Sequence, residues 1–314
     1  MLRFVAARVG LTALLLWATA TITFLLIYLA PGDPARTLAA RMIGRMPPPE
    51  QVEAVRVKHG LDNSPVDQYR FWLGAALGGD FGKSFASGRP VLEEIGPRLV
   101  KTLQLSTAAF CLALLLALSL GLAAAVHPGG LVDRLSQALA LLGSSLPSFW
   151  VGFILIYLFA SRLGLLPTHG AESWQNLVLP TLTLALAPAA RMTRLVQVVV
   201  SEVLGMPHLI TARAKGLRRP TILWDHARRL AAVALLSRLS REFAFVAGGA
   251  VVVETVFAWP GIGGYFVDAV ETRDLPVIQA LTLTFGALLA LASLVGDVLA
   301  YLADPRPRAR GAAQ

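Results

Sequence analysis

The clearest hint of chemistry in this sequence is Gly82-Lys83-Ser84, because a glycine followed by lysine and a hydroxyl residue closes the loop that cradles nucleotide phosphates. That loop also needs a glycine five places before Gly82, where this chain has Leu77, and a buried strand leading into it, which the flanking residues do not supply. Nucleotide binding is therefore not expected, and any ATP-driven work must draw on another chain. The five histidines, His59, His127, His169, His208 and His226, are scattered and form no H-E-x-x-H pair. His169 beside Glu172 could touch a metal ion in passing, but a lone loop histidine is more commonly a solvated or capping group. Cys111 is the single cysteine and lies in an apolar run, so it reads as a small packed residue with no disulfide partner and no thiolate metal site. No nucleophile, base and orienting group converge. Neither catalysis nor a cofactor is expected.

The elements that carry these residues follow from composition. Of 314 residues, 55% are hydrophobic and 15% charged, against about 25% charged in ordinary soluble domains. The mean hydropathy is +0.63. A net charge of +9 would suit a nucleic-acid binder only if the basic residues formed a patch beside a soluble core; here they sit between apolar spans, so no nucleic acid is expected. Apolar runs occupy residues 9–30, 103–126, 135–160, 177–200, 230–257 and 277–303. Each is near or above the ~20 residues that cross a bilayer as a helix. The expectation is an all-α integral membrane protein with six transmembrane helices. The first run exceeds the ~7 to 15 residues of a signal-peptide core and no A-x-A-like site follows, so it reads as a retained helix. The fourth contains Pro180 and Pro188 and then meets Arg191 and Arg194, which predicts a kinked helix whose cytoplasmic end projects from the bilayer.

Arginine and lysine in short loops stay cytoplasmic. Arg191, Arg194, Arg213, Lys215, Arg218, Arg219, Arg228 and Arg229 face only Glu202 and Asp225 between the fourth and fifth spans, so that loop is assigned to the cytoplasm. Asp268, Glu271 and Asp274 precede the sixth span and Arg306, Arg308 and Arg310 follow it, which places both termini on the cytoplasmic side. Residues 31–98 then form a periplasmic insertion between helices 1 and 2, with a turn at Pro31-Gly32-Asp33-Pro34 and helices over 50–59 and 65–77. The chain divides as 1–98, the first helix plus insertion; 99–304, a five-helix core with a cytoplasmic loop at 201–229; and a tail at 305–314.

The cytoplasmic loop carries the most informative pattern, Thr211-Ala212-Arg213-Ala214-Lys215-Gly216-Leu217. Ala212 and Ala214 permit close approach, Gly216 can take a positive φ to turn the chain, and Arg213 and Lys215 can pair with an acidic groove. A plain positive-inside loop would explain the charge but not the Ala/Gly spacing. This segment resembles the EAA-type coupling motif of binding-protein-dependent ABC importer permeases, in the form found in peptide and nickel permeases. Further stretches match that family in the same order: "APGDPA", "HGLDNSPVDQYRFWL", "GDFGKSFASGRPVLEEI", "SLPSFWVGF", "WQNLVLPTLTLALAP", "VVETVFAWPGIGGYFVDAVETRDLPVIQ" and "GDVLAYLADPRPR". The chain departs from the family at Pro207 and at Leu230 and Val233-Ala234, where an Asn and a Leu-Pro are usual, which bears on how the loop re-enters the membrane.

The resemblance implies a type I ABC importer permease whose partners are a second homologous permease, two ATP-binding subunits, a periplasmic solute-binding protein and the lipid bilayer. The loop from Thr211 to Leu217 would dock on the ATPase. Details of three loops resemble the nickel branch, so a nickel chelate is the expected cargo, with a dipeptide or oligopeptide as the alternative. A secondary transporter would show paired inverted repeats, which are not evident. A membrane enzyme would show convergent catalytic residues at one face. In the fifth span, Arg238, Arg241 and Glu242 interrupt an apolar run; charges at membrane depth cost about 2.5 to 3.5 kcal/mol each, so they should face either the translocation pathway or a second permease. Arg238 and Glu242 have the spacing to pair on one helix face.

Overall fold

With no water in hydrocarbon, helices and closed barrels are the only spanning structures that satisfy every backbone group. Apart from one isolated bridge between Lys83 and Pro90, every regular element among the described residues is helical. The computed structural model describes residues 2–29, 32–43, 46–58 and 60–303. Pro31, His59 and the tail arginines Arg306, Arg308 and Arg310, used above for a turn, a helix end and the topology, lie outside the described residues. Helices α1 (Leu2–Leu29), α5 (Val91–Val126), α8 (Gln175–Leu204) and α13 (Leu275–Ala303) contain spans long and apolar enough to cross a membrane. Helix α11 (Arg228–Val256) has the length, 29 residues, but its arginines and Glu242 dilute its apolar character.

The third expected crossing is broken. Helix α6 (Leu131–Ser145) stops at Leu146, whose φ of −89° and ψ of 129° are extended, and α7 (Ser148–Leu155) departs at 105° before continuing as a π-helical segment, Ile156–Arg162. Pro147 is the cause: its ring drives the preceding residue out of the helical region and it has no N–H to continue the ladder. The fourth crossing is one continuous helix that contains both Pro180 and Pro188. Cys111, expected to be packed, is exposed on α5, because the core side of that helix is the stripe Leu105, Ala109, Ala113 and Ala117 and position 111 falls opposite.

The chain forms two compact units. One comprises Met1–Val100 and Gly264–Ala287. In it α1 meets α4 (Pro65–Leu77) through Thr21 Oγ1 and Tyr69 OH, 2.7 Å apart, and through Phe24, which packs on Tyr69 and Trp72 at 5.3 and 5.9 Å between ring centroids. Helix α4 begins on Ser64, whose hydroxyl accepts from Asp67 N–H, and ends at Gly78, so the bounds read from Pro65 and the Gly-Gly pair hold. Helices α2 (Pro34–Ile43) and α3 (Pro49–Lys58) are joined by Arg56, which donates to Asp33 Oδ2 at 2.7 Å. The Gly-Lys-Ser segment leads into a turn at residues 85–87: Ser84 Oγ donates to Asp274 Oδ2 at 2.6 Å, and Ala86 N–H meets the same oxygen at 3.0 Å. Tyr265, on α12 (Ile262–Glu271), donates to the Glu94 carboxylate, and Arg98 lies over its ring at 4.2 Å. Burial, then the bond to Glu94, pushes the Tyr265 phenol above its ordinary range, so it stays a neutral donor.

The other unit comprises Lys101–Gly263 and Leu288–Gln314. Its core centres on α8, whose Leu179, Met192, Val196, Val199 and Val200 are buried in one cluster with the α5 stripe and with Val246, Ala250 and Val253 of α11. The stripe repeats every fourth residue and ends at Gly121, where a Cβ would press on Thr193 O and Val196 Cβ at 2.8 Å. Small residues let these helices approach where the hydrophobic effect gives no help between spans. Asp133 of α6 is buried and accepts from Gly129 N–H and from the Gln137 and Gln197 amides, each at 2.7 Å, which locks α6 to α8.

A second buried carboxylate, Glu254, holds the turn after α11. Thr102 Oγ1 donates to Glu254 Oε1 at 2.6 Å, Gly263 N–H to Oε2 at 2.7 Å, and Ile262 N–H to Thr102 Oγ1 at 2.9 Å. Trp259 Nε1 closes the turn on Lys101 O at 3.0 Å. Gly261 lies so near that a Cβ there would overlap the Glu254 carboxylate, whereas a Cβ at Gly74, inside α4, meets nothing within 4 Å. Gly261→Ala should therefore displace a buried charged acceptor and cost about 2 kcal/mol or more. Gly74→Ala should be neutral or stabilise by about 0.5–1 kcal/mol. Aggregation temperatures in detergent would compare them; equal values for both variants would rule out the close approach.

Candidate functional site

The loop singled out by its Ala/Gly spacing folds as two short helices joined by a glycine. Helix α9 (Pro207–Ala214) starts on Pro207, which is suited to the first helical position because its missing N–H would have no partner there. Thr211 Oγ1 returns to Pro207 O at 3.0 Å, and Lys215 N–H closes the helix on Thr211 O at 3.1 Å. Gly216 then takes φ of +90°, the left-handed turn expected of it, and α10 (Arg219–Ile222) follows, leading through a π-helical segment, Leu223–Ala227, into α11. The side chains of Ala212, Arg213 and Arg219 lie outside the described residues.

Two apolar side chains fasten this loop to the membrane core. Leu209 and Ile222 are 1% and 2% exposed and belong to the same cluster as α8 and α11. The opposite side is open: Ile210, Ala214, Leu217 and Trp224 are exposed together with Thr211 and Lys215, and Arg228 lies over the Trp224 ring at 5.3 Å. Together they make an exposed apolar patch bordered by basic residues, a candidate docking surface.

A second group of charges lies inside the spans. Glu242 pairs with Arg191 of α8, Nη2 to Oε2 at 3.0 Å, and not with Arg238 as its spacing suggested. The helical spacing permits the local pair, but α8 packs against α11 and offers Arg191 directly. Arg238 is exposed, and the side chain of Arg241 lies outside the described residues. Sequence reasoning used Arg191 only as a topology marker; the signal it passed over was an arginine in one apolar span and a glutamate in another. Glu254 was likewise quoted only inside a motif, although an acid in an apolar run is itself a signal. Among the described residues no three His, Cys, Asp or Glu side chains come together to hold a metal ion.

The side chains of Arg191 and Glu242 are 44% and 18% exposed, so lipid, a wet path or another protein must cover them. Lipid tails are a poor cover for an ion pair, which leaves a wet path or protein. In a Cys111→Ala background, Glu242→Cys should react with a water-soluble maleimide in at least one nucleotide state of the assembled membrane complex. Leu15→Cys, on the exposed apolar face of α1, should not. Protection of position 242 in every state would mean that protein, not water, covers the pair.

Residues 117–309 match the family described as binding-protein-dependent transport system inner membrane component, and residues 1–106 match the family of its N-terminal membrane component. The glutathione transport system permease protein GsiC of Escherichia coli strain K12 is 39% identical over 308 residues, covering 98% of this chain and 99% of the relative. GsiC of Salmonella typhimurium is 40% identical over 309 residues with the same coverage. Among solved structures, the MetNI methionine ABC transporter in inward-facing conformations has a chain that aligns with a TM-score of 0.53 over 67% of this chain and 96% of that one. At 17% identity this likeness concerns the fold alone.

Proposed function

Because the chain belongs to the family of binding-protein-dependent transport system inner membrane components, we propose that it forms half of the translocation pathway of an importer for a small peptide of the glutathione class. Membership itself makes it a permease subunit of the peptide/nickel branch of ABC importers, with the type I permease fold, crossing the bacterial inner membrane several times. It is not an enzyme: ATP hydrolysis belongs to separate subunits, and solute reaches it from a binding protein. The proposed assembly is this chain, a second homologous permease, two ATPase subunits and one periplasmic binding protein. Both termini and the 201–229 loop face the cytoplasm, within a permease core at 99–304.

The cargo reading departs from the nickel chelate expected from three loops. Relatives that share 39–40% identity across nearly the whole chain carry the name of a glutathione permease, which supports a peptide over a metal. Uptake of labelled glutathione and of labelled nickel, in cells with and without this gene, tests the choice. A gene-dependent nickel signal with unchanged glutathione uptake would reverse it.

The observation that carries the coupling role is the loop itself, anchored by Leu209 and Ile222 and presenting Ile210, Leu217, Trp224 and Lys215 outward. A surface held this firmly to α8 and α11 can pass a push from the ATPase to the spans. Thr211 to Leu217 would be the docking segment, and Gly216 its least replaceable residue. A Cβ on Gly216 meets nothing within 4 Å in the isolated chain, so the local cost of replacing it is backbone strain, about 1–2 kcal/mol. Gly216→Ala and Gly216→Val share that strain but differ in bulk at the docking face. Both should insert in the membrane, with Val transporting less per ATP hydrolysed than Ala. Charge removal at Arg213 or Lys215 should matter less, since exposed pairs contribute about 0–1 kcal/mol. Normal transport by Gly216→Val, or undiminished ATPase co-purification after a Gly/Ser linker replaces residues 208–218, would overturn the assignment.

A further inference from the structure

Two kinds of exposed surface occur on the spans. Helix α1 exposes Leu11, Leu14, Leu15, Trp17, Ile22, Leu25 and Leu26, an apolar face that lipid can cover. Helix α8 is mostly buried, yet its exposed positions from the middle onward are Arg191, Arg194, Val198, Ser201 and Glu202, one stripe at helical spacing. Helix α11 exposes Arg238, Phe245, Gly249 and Val252 on the side that carries Glu242. Lipid does not cover such stripes. Arg191 lies near the middle of the 30-residue α8 and Glu242 near the middle of the 29-residue α11, where the two helices pack against each other.

The pair is also poorly saturated. Among the described residues, one Nη2 meets one Oε2 at 3.0 Å, while the guanidinium carbon stands 5.9 Å from the centre of the Phe245 ring, itself 68% exposed. A guanidinium is a fork whose best-matched partner is a carboxylate held by two parallel bonds. A single-point contact leaves that match unmade.

We propose that Arg191 and Glu242 form a transfer site for the charged ends of a zwitterionic peptide, Arg191 receiving a carboxylate and Glu242 an ammonium group. This rests on the peptide reading given above. The resident ion pair opens, and one contact between the two residues is exchanged for two contacts to cargo. Phe245 walls the site beside the guanidinium. In the empty site the pair satisfies itself between transport events.

The test uses the complete importer in proteoliposomes, with its own binding protein and ATP, and three labelled probes: glutathione, its glycine amide and its N-acetyl derivative. Selectivity contributed by the binding protein is common to all variants and cancels when each ratio is divided by the wild-type ratio. Arg191→Gln should erase about tenfold of the preference for glutathione over its amide, the loss of one charge-assisted contact, and leave the N-acetyl ratio unchanged. Glu242→Gln should do the reverse. Arg191→Lys, which keeps the charge and loses the fork, should fall between. Co-purification of all subunits shows that each variant assembles, and because each readout is a ratio, a partly active variant still reports. If both Gln variants keep the wild-type ratios, or if exchanging the charges (Arg191→Glu with Glu242→Arg) restores both uptake and the original ratios, the pair is a structural tether and the proposal falls. If the wild-type importer takes up no glutathione, the cargo reading fails and the site falls with it.

Discussion

Hydrocarbon offers neither a hydrogen bond nor a counter-ion, and that single property of the solvent organises this chain. It makes each span helical, and it also determines where the few polar side chains go. The hydroxyls of Thr19, Ser119, Thr183, Thr282 and Thr284 each return to the carbonyl four residues earlier at 2.7–2.8 Å, so they add polarity to a span without an outstanding donor. With no hydrophobic drive between helices in lipid, close packing must supply the attraction, and the Ala109, Ala113, Ala117, Gly121 repeat is what brings α5 to van der Waals distance of its neighbours.

Carboxylates are handled by a different device. Asp133 and Glu254 are both buried, and among the described residues they accept from backbone N–H groups, two glutamine amides and a threonine hydroxyl. Each joins segments far apart in sequence, Asp133 linking α6 to α8 and Glu254 linking residue 102 to the turn at 262–263. Removing such a group leaves donors stranded in a medium that cannot replace it, which is why each junction is rigid. Arg191 and Glu242 differ in being ionic on both sides, singly bonded and open to the surface, which suits a contact that is made and broken.

Much of this was legible before any coordinates. Residues 65–77 read as a helix because proline at the start and paired glycines at the end are local signals, and α4 has those bounds. Gly216 read as a left-handed turn because the chain had to reverse in a few residues, and its φ is +90°. The failures share a cause: they depend on what lies across from a residue. Hydropathy saw 135–160 as one run, since Pro147 sits among apolar neighbours and only its backbone chemistry breaks the helix. Cys111 looked packed because apolar sequence was equated with burial, whereas in a membrane the outward face is apolar too. Glu242 was matched to Arg238 by spacing along its own helix; the stronger partner came from α8, and no spacing within one helix encodes a contact between two.

The same helix pair connects the loop to Arg191 and Glu242. Leu209 and Ile222 are buried in the cluster that contains Met192 and Val196 of α8 and Val246 and Ala250 of α11. Interiors packed at crystal density transmit displacement and do not absorb it. In the coupling role proposed above, a push on the loop would reach the backbones of α8 and α11, and shifts of about 1–2 Å are typical of packed helices that switch. The Arg191–Glu242 bond spans those same two helices at 3.0 Å, and charge-assisted bonds weaken steeply once stretched by that amount. Under the coupling role proposed above, the loop and the Arg191–Glu242 pair are held by the same two helices, so a stroke delivered at the loop would reach the pair without any residue running between them.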